Sequence, residues 1–169
     1  LSPLSKAAVA VLAGDSGLDP VALHQQTGGN AFFVTEVLAA AGGLPPTVRD
    51  AVLARAARLS PAARALLEAA AVVGLRAEPD VLPAVAEAAG PPGVMAALEE
   101  CLAGGMLLAQ GNAVTFRHDL SREAILAAIS PPRAARLHAA ALAALAGTPE
   151  AGANPARLAH HAAAAGDGA

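Results

Sequence analysis

The chain has no tryptophan, no tyrosine and only three phenylalanines in 169 residues. Aromatic rings are the bulkiest core fillers, so a core built around large rings is excluded. Hydrophobic residues still make up 55% of the chain, mostly alanine, with leucine and valine behind it. Alanine is the best helix former and lets helices pack closely, but each one buries little area. A largely helical fold with thin cores follows. The one cysteine, Cys101, excludes an internal disulfide and suits a reducing cytoplasm. It follows Glu99 and Glu100 in a helical pattern and reads as a small core residue, the alternative being a reactive thiol. Long apolar runs are also missing. No stretch of roughly 18 residues is evenly apolar and free of charges and helix breakers, so no membrane contact is expected. The opening LSPLSKAAVAVLAGDSG has one lysine and a short apolar run. It reads as an amphipathic helix rather than a signal peptide.

Signatures of catalysis are absent too. There is no G-x-x-x-x-G-K-[ST] phosphate loop and no complete catalytic site. His24 and His138 have no partner four positions on, and adjacent His160 and His161 point to different faces of one helix, so no metal centre is expected. Net charge is −3, divided as 0 over residues 1–59, −4 over 60–129 and +1 over 130–169. A middle segment at −4 is a poor electrostatic partner for a phosphate backbone.

What is present is a string of helices punctuated by Pro and Gly. A first runs from about Ser5 to Ala13. Asp19 caps a second, with Pro20 at its first position and Gly28-Gly29 as its stop. Asn30 caps a third, AFFVTEVLAAAGG, whose Phe32 and Phe33 are expected to anchor the first core. In PPTVRDAVLARAARL, Val48, Val52, Ala56 and Leu59 share one face, while Arg49, Asp50, Arg55 and Arg58 lie largely off it as a solvated face. Ser60 and Pro61 open the next helix, with Leu66, Leu67, Ala70 and Val73 inward. PDVLPAVAEAAG is shorter. PPGVMAALEECLAGG follows, with Val94, Met95, Leu98 and Leu102 expected inward.

The period then changes. MLLAQGNAVTF is two short apolar runs about Gly111-Asn112, a two-stranded hairpin signal, with Phe116 closing the second strand. FRHDLSREAIL follows, where Arg117, His118, Asp119, Arg122 and Glu123 crowd seven positions. Asp119 is expected to cap the next helix. SPPRAARLHAAALAALAG is another helix, TPEAGANP a linker, and ARLAHHAAAAGDGA a last helix that reads as the first half of a helical-hairpin repeat. One repeat cannot bury its own face, so the chain is expected to be a piece of something larger. The fold class is thus mainly α. A helical lid subdomain (1–59) precedes a winged helix-turn-helix with one small β-hairpin (60–129). C-terminal helices (130–169) begin a helical-repeat array.

Taken together, TGGNAFFVTEVLAA, LPPTVRDAVLARAARLSPAARALLEAAAVVG, FRHDLSREAIL and ARLAHHAAAAGD resemble the middle of large LuxR-type regulators. The N-terminal half of these is a STAND nucleotide switch, a branch of the AAA+-like ATPases, and the resemblance covers nearly the whole chain. It implies a lid, a winged helix and the start of a tetratricopeptide-like array. The parts that hold ATP or ADP with Mg²⁺ would lie upstream, so this chain itself carries no cofactor and no catalytic residue. It also implies two nucleotide-facing positions. One is the lid turn, TGGNPFF in the usual pattern, where Gly28, Gly29 and Asn30 remain and Ala31 replaces the proline expected near the base; the alternative is a plain loop and N-cap. The other is FRHD, where His118 would touch the phosphates of ADP in the intact nucleotide domain; the alternative is a surface histidine at a strand end. Its partners would be the neighbouring nucleotide-binding domain and the downstream repeats.

The reading is therefore a regulatory, non-enzymatic segment that relays nucleotide state to a sensor array. A direct DNA-binding winged helix is one alternative. Against it, the candidate recognition helix offers Glu99 and Glu100 and no Lys or Arg, and the wing AQGNAV has no basic residue. A nucleotide-independent interaction scaffold is the other alternative.

Overall fold

The computed structural model describes residues 3–42, 45–78, 80–90, 93–148 and 154–166. Ten helices and three short strands follow in the order α1 (Lys6–Ala13), α2 (Pro20–Thr27), α3 (Ala31–Ala39), α4 (Pro46–Ala56), α5 (Pro61–Val73), β1 (Arg76–Ala77), α6 (Leu82–Ala89), α7 (Val94–Ala103), β2 (Leu107–Gln110), β3 (Ala113–Phe116), α8 (Asp119–Ala128), α9 (Pro131–Ala146) and α10 (Pro155–Ala165). Most starts have a side-chain cause. Ser5, Asp19, Asn30, Ser60 and Asn154 each accept a backbone N–H at a helix entrance, and proline stands in the first turn of α2, α4, α5, α9 and α10. The expected linker TPEAGANP falls mostly on residues 149–153, outside the described residues.

α5 is the axis. Nine of its thirteen residues are buried, six of them alanines or valines at 3% exposure or less beside Leu66 and Leu67. Small side chains let α6, α7, α8 and α9 all pack on it. The resulting core is continuous from Val9 to Leu145. α4 turns Val48, Val52 and Ala56 inward as its pattern demands, and Leu59 follows them. α10 packs on α9. Arg157 also ties it to the body, donating to both carboxylate oxygens of Glu78 at 2.9 Å and to the Val73 carbonyl at 3.1 Å.

The sheet departs from the expected two-stranded hairpin. It has three antiparallel strands in the order β1-β3-β2, with Leu107 opposite Phe116, Gln110 opposite Ala113, and Arg76 opposite Thr115. A two-residue strand carries no readable period, so β1 leaves no trace in the sequence pattern. At the hairpin turn only Gly111 takes the left-handed conformation, φ +60°. Three further expectations are corrected. Of the two expected anchors of the first core, Phe33 is buried, but Phe32 is 48% exposed. Of the four α7 residues expected inward, Val94, Leu98 and Leu102 are partly buried against the core, but Met95 is 68% exposed, and the fully buried positions of the helix are Ala97 and Cys101. And Asp119 does not cap α8. His118 occupies the N-cap position, extended at φ −142°, and no side chain caps the helix. Asp119 is the first helical residue, with Oδ1 buried without a hydrogen bond and 3.9 Å from the Arg122 guanidinium.

Candidate functional site

The turn Thr27–Asn30 leaves α2 and enters α3. Thr27 is wholly buried and donates its hydroxyl to the Leu23 carbonyl at 2.7 Å. Gly28 follows at φ +59°, the left-handed conformation that ends α2. A Cβ on Gly28 would stand 2.7 Å from His118 Nδ1. Only glycine allows the two segments to touch, so TGGN and FRHD, far apart in sequence, form one junction. Gly29, at φ +71°, does not face His118. A Cβ there would collide with the Leu4 carbonyl, and the Gly29 carbonyl accepts from Leu4 N–H at 2.7 Å. Its glycine identity serves the packing of the chain's opening segment. Asn30 accepts from Phe32 and Phe33 N–H, capping α3, and also lines a cavity against His118.

His118 is held on three sides. Gly28 backs Nδ1, and the Phe33 ring meets the imidazole edge-on at 5.0 Å. The Thr27 carbonyl lies near enough to favour the protonated ring, but no aligned hydrogen bond forms and Nδ1 is left buried without a partner. Burial, followed by the charges of Arg117 and Arg55, holds its pKa below the usual histidine value.

Two grooves flank this ring. The larger, about 520 Å³, is lined by Gln25, Gln26, Arg117, His118, Asp119 and Glu123 among others. Burial, with the Asp119 charge beside it, raises the Glu123 pKa. The smaller, about 230 Å³, has Asn30, Phe32, Arg55, Arg117, His118 and Ser121 in its lining and no carboxylate. Both arginines reach Gly105. A Cβ there would meet Arg55 Nη2 at 3.0 Å and Arg117 Nη2 at 3.8 Å. Among the described residues neither guanidinium is ion-paired.

Sequence reasoning missed this convergence. Arg55 reads as one of several solvated arginines on α4, and no local pattern links it to Arg117. The only sequence signal is the position of Arg117 beside His118.

Elsewhere the candidates resolve into structure. Glu100, offered by the candidate recognition helix α7, accepts from Ser60 N–H at 2.7 Å and from its hydroxyl at 2.6 Å, stitching α7 to the start of α5. These bonds lower its pKa. Cys101 is fully buried and donates to the Ala63 carbonyl at 3.3 Å. Burial, then the Glu100 charge, pushes its thiol up to about 12, which leaves it inert as a thiolate nucleophile.

The C-terminal histidines do find partners, across helices rather than along one. His138 of α9 and His161 of α10 approach Nδ1 to Nδ1 at 2.9 Å, and the His160 ring packs on both. Among the described residues no three His, Cys, Asp or Glu side chains are arranged to hold a metal ion, and no helix is long and apolar enough to cross a membrane. No family model, curated protein or solved structure matches this chain.

Proposed function

We propose that the chain is a regulatory, non-catalytic segment of an ATP/ADP-controlled signal-transduction ATPase and transcriptional regulator. A helical lid (1–59) would be followed by a winged helix (60–129), which passes nucleotide state to downstream helical repeats. The observation that carries this reading is the Gly28–His118 contact. It places the lid turn and the FRHD step, the two segments expected to face nucleotide, against one another. The order α5-β1-α6-α7-β2-β3, with β1 and β2 flanking β3, supports the winged-helix part.

His118 sits at a corner between two anchored elements, the strand end fixed by buried Phe116 and the start of α8. A group so held can reach a ligand on a neighbouring domain with little ordering cost. Arg55, Arg117, His118 and Ser121 fit the phosphate end of ADP. They offer no set of oxygen ligands for Mg²⁺, which the upstream region would hold. The bound nucleotide would supply the phosphates that distinguish resting from active forms. This chain would sense them through His118 and hold the closed arrangement.

The test is made in the intact parent, wild type beside His118→Ala. One charge-assisted hydrogen bond contributes about 1.5–3 kcal/mol, so ADP release and inducer-independent transcription should rise roughly ten- to a hundredfold. Unchanged release and unchanged basal transcription would sink the reading.

A further inference from the structure

The smaller groove collects cations from separate parts of the chain. Arg55 comes from α4, while Arg117 and His118 come from the step into α8. Like charges repel, and convergence without a counter-charge destabilises the fold unless something offsets it. No carboxylate lines this groove, and the nearest acid in sequence, Asp119, lines the other one. Asn30 and Ser121, the latter 7% exposed, add polar groups to the same wall. We infer that Arg55 and Arg117, joined by His118, Ser121 and Asn30, form a binding site for a phosphate or diphosphate group that pins α4 to the start of α8.

A planar guanidinium presents paired N–H donors that match phosphate oxygens, and two set on one glycine can clamp a tetrahedral anion from two sides. Gly105, at φ +64°, gives this clamp its floor, since any side chain there would crowd Arg55. A bound anion would also offset the Arg117 and Arg55 charges that, after burial, disfavour a proton on His118.

The anion site stands on its own geometry, while its use for nucleotide phosphates rests on the function proposed above. Calorimetric titrations of the chain with inorganic phosphate, diphosphate and ADP test it, in wild type, Arg55→Gln, Arg117→Gln and the distant exposed Arg136→Gln. Saturable diphosphate binding is expected, weakened roughly tenfold or more by either groove substitution and unchanged by Arg136→Gln. Helical circular dichroism should be retained in all three, since these arginines are exposed. No saturable binding, or equal weakening by all three variants, would overturn the site. ADP binding no tighter than diphosphate would support the anion site and remove it as support for the nucleotide reading; tighter ADP binding that needs both arginines would support both.

Discussion

Gly28 links two kinds of constraint at one residue. Its left-handed backbone disfavours any Cβ, and His118 Nδ1 occupies the space a Cβ would need. Gly28→Ala is expected to cost roughly 1–2 kcal/mol through the backbone alone and to displace the imidazole. Urea denaturation and the His118 ring resonances should report the two effects together; a full loss of stability with an unmoved ring would separate them. Asp119 makes a second case. Its place inside the first turn, with an oxygen that makes no hydrogen bond and only a long, part-exposed ion pair to Arg122, removes the reason to expect a capping loss. Asp119→Asn should change stability little and lower the Glu123 pKa, because the Asp119 charge is one of the two influences that raise it. Titration of the Glu123 carboxyl by NMR decides this. Residue-scale roles were unevenly legible. Asn30 and Asp19 show as caps because a cap needs only its neighbours in sequence. Arg55 and Gly105 do not, because their meaning depends on what the fold brings beside them.

Helices were the readable elements, since Pro, Gly and short polar residues mark their ends through local backbone chemistry. β1 was not, nor was the exposure of Met95 on a helix whose other large apolar residues reach the core. Two element-scale contacts invite tests. Glu100 holds the start of α5 most strongly as a carboxylate, when both oxygens accept from Ser60. Its folded pKa is lowered, so this contribution is present above 4.5 and lost as pH falls through the folded value. Glu100→Gln should lower the thermal midpoint at neutral pH, and the difference from wild type should shrink in acid. The other contact is α9 with α10. The His138–His161 bond accepts one shared proton but not two N–H groups face to face. His160, Arg122 and Arg157 add positive charge nearby, and burial first, then the neighbouring histidines and Arg157, depress His161 to about 4. A lowered histidine pKa means stability is complete above 6.5 and is lost as pH falls from there toward about 4. Hydrogen exchange in Pro155–Ala165 should therefore rise in that window before exchange in α5 does. His161→Phe should flatten the response, and an unaltered response would assign the acid sensitivity to another group.

For the molecule as a whole, the acidic balance of residues 60–129 and the engagement of Glu100 by Ser60 both oppose DNA reading through α7. No sequence-specific duplex binding is expected from this chain, and a fluorescence-anisotropy titration at physiological salt checks it. Sub-micromolar binding with a steep salt slope would favour the DNA-reading alternative. The helical class was legible from alanine content alone. The meeting of TGGN with FRHD was not, because contacts between distant segments leave no periodic mark; the resemblance named both segments without placing them together. α5 carries one more consequence. Ala63, Ala69, Ala70 and Ala71 are at most 1% exposed, on a helix enclosed by four others. Any larger residue there must push apart a neighbouring helix, at about 1–3 kcal/mol. A saturation mutagenesis library selected for folding should thus show α5 as a nearly unbroken band of fixed side-chain volume. The arginine-bearing surface of α4, which packs on α8, should drift freely wherever an anion is not being selected for. Along this chain, evolutionary rate would then be governed by alanine rather than by the larger hydrophobic residues.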